Sequence, residues 1–134
     1  MKWITANDLS QWADTIPAKD TFPEMIGDLV RASSLKIESF RFPSGDMGQV
    51  RGFDGYLEAE GSPPYVPDGS SIWELGVGRD LIPKANSDYQ KRTKETPENI
   101  RQNTTFVFAT PRTWNQAKIK LIDWEHEKQK LGEW

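Results

Sequence analysis

Cysteine is absent from the sequence, and histidine occurs once, at His126. The first absence excludes disulfides, thiolate metal sites and thiol nucleophiles. The second argues against a His-built metal centre and against a Ser–His hydrolase. No apolar run reaches the roughly 18 residues that a membrane span needs, and the N-terminus lacks the apolar stretch of a secretory signal. These absences predict a cytoplasmic protein with no membrane partner. Excess positive charge is lacking too. With 17 Lys and Arg against 20 Asp and Glu, the net charge is −3, unlike the uniformly basic surface of common nucleic-acid binders.

What is present is a chain of 134 residues, the size of one domain, with six Trp, six Phe and three Tyr to build a core. Thr5 to Asp8 reads as a capping box, followed by Leu9, Trp12, Ala13 and Ile16 at helical spacing. A second helix is capped at Asp20 or Thr21, with Pro23 in its first turn and an apolar stripe of Phe22, Met25, Ile26, Leu29 and Val30. Leu35 to Phe42 reads as a strand whose alternation slips at Ser39-Phe40, the mark of a bulge, and Pro43 to Asp46 as a turn. Strands are expected over Val50–Ala59, Ser71–Val77 and Thr104–Thr110, and helices over Pro83–Thr93 and Trp114–Leu131. The last helix should bury Ala117, Leu121, Trp124 and Leu131, and Thr96 to Asn103 should be loop. The order α-α-β-β-β-α-β-α predicts an α/β domain with a mixed four-stranded sheet flanked by helices. Gly132 reads as a helix end, and the Trp134 beyond it predicts a further element, so the 134 residues are expected to be the N-terminal part of a longer chain.

Two of these strands carry a carboxylate where an apolar residue is the ordinary choice. Asp54 lies between Phe53 and Gly55, and Glu74 between Trp73 and Leu75. Acidic side chains are depleted in strands and are seldom buried unless paired or bound to a cation. On neighbouring strands both can aim at one spot, and two hard oxygen ligands suit Mg²⁺ or Mn²⁺ with substrate phosphate and water completing the shell. An ion there would polarise a phosphoryl oxygen, and a nearby lysine would stabilise the charge that develops on phosphorus. Glu24, on the second helix, is a further candidate metal ligand. Each residue also has a plainer role. Asp54 suits an Asp-Gly turn, Glu74 an ion pair with Arg or Lys, and Glu24 a favourable charge near a helix N-terminus. His126, flanked by Glu125 and Glu127, is expected to be exposed.

The helix–three strands–helix–strand order, with Asp on the second strand and Glu on the third, resembles the PD-(D/E)xK core of restriction-endonuclease-like nucleases. Gly52-Phe53-Asp54-Gly55 resembles the G-x-D-G segment of the Mrr-like branch. The strings Phe22 to Ile26, Arg41 to Asp46, Ser71 to Gly76, Lys84 to Tyr89 and Thr105 to Arg112 are similar to the N-terminal domain of large bacterial proteins linked to phage defence. The resemblance spans most of the chain. It implies a restriction-endonuclease-like fold, a Mg²⁺- or Mn²⁺-dependent endonuclease, DNA as partner, and further domains of a longer chain.

One departure concerns the third strand. The family pattern asks for E-x-K, and this chain has Glu74-Leu75-Gly76. Lys84, at the start of the following helix, is the nearest replacement, with Lys91 and Arg92 behind it. The resemblance therefore implies a site of Asp54, Glu74 and Lys84. Lys84 is otherwise a solvated helix-start charge. If no cation replaces the missing lysine, the domain is a non-catalytic nuclease-fold module for nucleic-acid or protein binding. A third possibility is a homo-oligomer formed through the sheet edge or the last helix. From Arg79 to Arg112 the chain is locally basic, which suits either a phosphate-tracking surface or a salt-bridged helix face.

Overall fold

The computed structural model describes residues 3–42 and 52–134. The expected turn at Pro43–Asp46 and the strand residues Val50 and Arg51 fall outside them. Helix α1 (Ala6–Ala13) starts at a capping box: Asp8 N–H donates to Thr5 Oγ1 at 3.1 Å, and Thr5 N–H donates to Asp8 Oδ2 at 2.9 Å. Helix α2 (Ala18–Ser33) begins two residues before the expected caps. The chain turns through Thr15–Pro17, where Asp20 and Thr21 N–H both donate to the Pro17 carbonyl, so Pro23 lies inside the helix. The buried stripe of α2 is Ala18, Phe22, Gly27 and Val30; Leu29 is exposed, contrary to the expected stripe, because it lies a quarter-turn from Val30.

Strands β1 (Lys36–Arg41), β2 (Gly55–Glu60) and β3 (Gly69–Leu75) form an antiparallel meander. The expected irregularity is present as a register shift between Ile37 and Ser39. Helix α3 (Leu81–Glu95) and the short α4 (Glu98–Arg101) lead to β4 (Thr104–Ala109), which pairs in parallel with β3. The sheet order is β1-β2-β3-β4. The α/β class and the mixed four-stranded sheet agree with the sequence reading; α4 replaces part of an expected loop.

Helix α5 (Leu121–Leu131) is shorter than expected. Residues 114–120 instead make a turn stapled by side chains: Trp114 Nε1 donates to the Ile119 carbonyl at 2.8 Å, and Leu121 N–H to Gln116 Oε1 at 3.0 Å. Only Trp124 of the predicted stripe is buried, while Leu121 and Leu131 are exposed. No helix among the described residues is long and apolar enough to cross a membrane.

Alternation along the strands divides the core in two. Val30 of α2 packs with Phe42, Leu57, Ala59 and Trp73, joined by Val107 and Ala109. On the other face Leu81 and Ala85 of α3 pack with Trp114 and Trp124, joined by Phe108. Phe108 lies between Val107 and Ala109, so α2 and α3 cover opposite faces of the sheet. Gly55 belongs to the α2 side, where a Cβ would stand 2.5 Å from the Phe42 ring.

Leu57 is fully buried at the centre of the first cluster. Leu57→Ala is therefore expected to cost about 2–5 kcal/mol, read as a lower midpoint in urea unfolding at an unchanged slope.

Candidate functional site

Strand β3 and helix α3 assemble the site between them. Trp73 faces α2, so Glu74 turns to the α3 side. Gly55 of β2 opposes Trp73, which sets Asp54 on the same side as Glu74. Backbone bonds hold it there: Asp54 N–H donates to the Trp73 carbonyl at 3.1 Å, and Leu75 N–H donates to Asp54 Oδ2 at 2.8 Å. The register puts the two carboxyl groups side by side, and Asp54 acts on Glu74 as a neighbouring charge.

Above them, α3 lays Leu81, Ala85, Asp88 and Arg92 on its buried stripe. Arg92 is 2 % exposed and Glu74 1 %. Arg92 Nε donates to Glu74 Oε1, and Nη1 donates to Glu95 Oε2 at 2.7 Å. The guanidinium carbon lies 5.8 Å from the centre of the Phe53 ring. Gly52 has φ +85°, and a Cβ there would stand 2.8 Å from Arg92 Nη1. Glycine at this turn thus gives room to a guanidinium as well as a left-handed backbone.

The electrostatics follow from this burial. Desolvation raises the Glu74 carboxyl, and the hydrogen bond and charge of Asp54 raise it further. Arg92 opposes both without offsetting them, and the pKa is pushed up to about 8. Burial pulls Arg92 down, but Glu74 and Glu95 outweigh it, so the guanidinium stays charged. The guanidinium of Arg92 and the bond it donates to Glu74 offset part of the cost of burying the cluster.

The structure therefore brings Asp54 and Glu74 together. Lys84 stands near them in a particular way: its Cγ lies 3.5 Å from where a Cβ on Gly76 would be, beside Phe108. Its stem thus covers the position of the lysine in the E-x-K pattern. Its Nζ donates to Asp88 Oδ1 at 2.8 Å. The other oxygen, Asp88 Oδ2, is buried with no hydrogen-bond partner among the described residues. Glu24 does not join the group, because it is exposed on α2, across the sheet. Among the described residues no group of three or more His, Asp or Glu side chains converges at metal-ligating range.

Arg92 and Asp88 carry more of the site than sequence reasoning assigned them. The available signal was the 81-85-88-92 spacing, which sets two charged residues in line with Leu81 and Ala85. The basic stretch is largely engaged within the molecule. Arg79 and Arg112 pair with Asp14, Lys84 with Asp88, and Arg92 with Glu74 and Glu95. Arg101 donates to the Thr96 and Glu133 carbonyls, while Lys91 and Lys94 are exposed. Tyr89 is buried against Phe106 and Trp124 and donates to Glu133 Oε1 at 3.1 Å. His126 is exposed, as expected. Trp134 returns to the fold, packing on Phe106 and donating from Nε1 to Thr93 Oγ1 at 2.8 Å.

No protein-family model, curated protein sequence or solved structure matches the chain.

The raised pKa of Glu74 has a definite sign in unfolding. The native state keeps a proton that the unfolded chain releases above its ordinary value of 4.5, so this stabilisation is complete below that pH and is lost as pH climbs through about 8. Urea unfolding between about pH 5 and about pH 9 should show the wild type losing stability relative to Glu74→Gln, which keeps the neutral shape at every pH.

Proposed function

We propose that this domain is a metal-dependent nuclease that hydrolyses DNA phosphodiester bonds as the effector of a bacterial anti-phage system. The observation that carries the reading is the pairing of Asp54 and Glu74. Asp54, in the bend that leads into β2, and Glu74, in β3, lie on one face of the sheet, close enough that Asp54 helps to raise the Glu74 pKa. Like-charged pairs of this kind are a mark of cation and catalytic sites. The donor set fits Mg²⁺ or Mn²⁺, since both ions take carboxylate oxygens and Mg²⁺ keeps several of its waters. When bound, the ion supplies Lewis-acid polarisation of the scissile phosphate. The strand order and the parallel β3–β4 pair suit the restriction-endonuclease-like core that the motifs resemble.

The chain's own residues divide the remaining work. Asp54 is oriented by the Leu75 N–H, so its position follows from the backbone of the strand that carries Glu74. Lys84 reaches over Gly76 with its side chain about half exposed, which lets its ammonium neutralise a phosphate entering from solvent. Asp88 restrains that ammonium from below. The exposed Lys91 and Lys94 lie further along the same helix and can meet the nucleic-acid backbone.

A second reading rests on Arg92. Its buried ion pair occupies Glu74, as in a nuclease fold that has given up catalysis and serves as a binding module. Cleavage of a supercoiled plasmid in Mg²⁺, run beside a DNA-binding assay, separates the two. The nuclease reading expects cutting that is lost in Asp54→Ala and Glu74→Ala and falls by about 10²–10³-fold in Lys84→Ala. Cutting that survives both carboxylate substitutions rejects it; DNA binding with neither cutting nor metal binding selects the module.

A further inference from the structure

The guanidinium of Arg92 sits where a cation would be wanted. It bonds Glu74, whose carboxyl also meets Asp54, and the pair is sealed from solvent. Its second bond goes to Glu95, whose side chain is about half exposed. Gly52 is shaped to it, since any side chain there would collide with Nη1. Arg92 is thus anchored at both ends: one anchor is a candidate metal ligand, and the other remains available if the first is withdrawn.

We propose that Arg92 is the resident counter-ion of the carboxylate pair, and that a divalent cation binds Asp54 and Glu74 only by displacing it from Glu74. This rests on the metal-dependent reading of the site and adds a built-in restraint to it. One Glu74 carboxylate cannot serve the guanidinium and the ion equally, so the two equilibria are coupled, and each weakens the other by the same factor. The site then has low affinity until the ion concentration, or a substrate phosphate that attracts the guanidinium, tips the exchange. Arg92 is in this sense a positioning residue: it acts through Glu74.

The test is calorimetric titration of Mn²⁺ into the wild type, Arg92→Gln and Arg92→Lys, with circular dichroism as a check of folding. Arg92→Gln should bind about tenfold tighter or more, and Arg92→Lys, which keeps the charge, should remain close to wild type. Should Arg92→Gln not fold, the wild type answers alone. In Mg²⁺ titrations followed by ¹⁵N NMR, the Arg92 Nε–H resonance should shift, and its hydrogen exchange quicken, along the same saturation curve as metal binding. Metal binding with that resonance unmoved, or Arg92→Gln binding no tighter than wild type, overturns the displacement and leaves the metal site standing. No binding by any folded variant overturns both.

Discussion

Glu74 lies buried in a central strand beneath a helix, and everything around it answers the cost of putting it there. A carboxyl group in that position must be neutral, paired or both. Here burial and Asp54 push its pKa up, and Arg92 donates to it. Helix α3 must bring Arg92 to the sheet, which sets the rotation of the helix and buries Leu81, Ala85 and Asp88 on the same stripe. The turn before β2 must make room for the guanidinium, which accounts for Gly52. Asp54 must stay beside Glu74, which the Leu75 N–H secures.

Two glycines that could be read as making room for a ligand do other work. Gly52 admits Arg92 and Gly55 admits the Phe42 ring. Gly76 stands where the nuclease pattern has its lysine, and its missing side chain lets Phe108 and the stem of Lys84 close over β3. The absence of a side chain at position 76 and the placement of Lys84 are thus two sides of one packing arrangement.

Much of the fold was legible because its signals are local. The Thr5–Asp8 box, the bulge in β1 and the β-branched and aromatic run of β4 each follow from a few neighbouring residues. The shared face of positions 54 and 74 was legible from strand alternation, although β2 starts only at Gly55 and Asp54 lies in the bend before it, where an Asp-Gly pair is at home. The errors arose where side chains overrule periodicity. Gln116 and Asn115 cap a turn inside what reads as one long helix, and Pro17 starts α2 ahead of the more familiar capping residues. Glu24 could not be placed, since sequence does not say which face of the sheet α2 covers. Arg92 was passed over for Lys84 because a charged residue within a buried helical stripe has the same letter as one in solvent.

The central claim is that the carboxyl groups of Asp54 and Glu74 form one divalent-cation site. A crystal soaked in Mn²⁺ tests it most directly. The account predicts a single strong anomalous peak within about 2.5 Å of an oxygen from each of the two residues. Anomalous density only at surface carboxylates, with the pocket beneath α3 still filled by the Arg92 guanidinium, would contradict it.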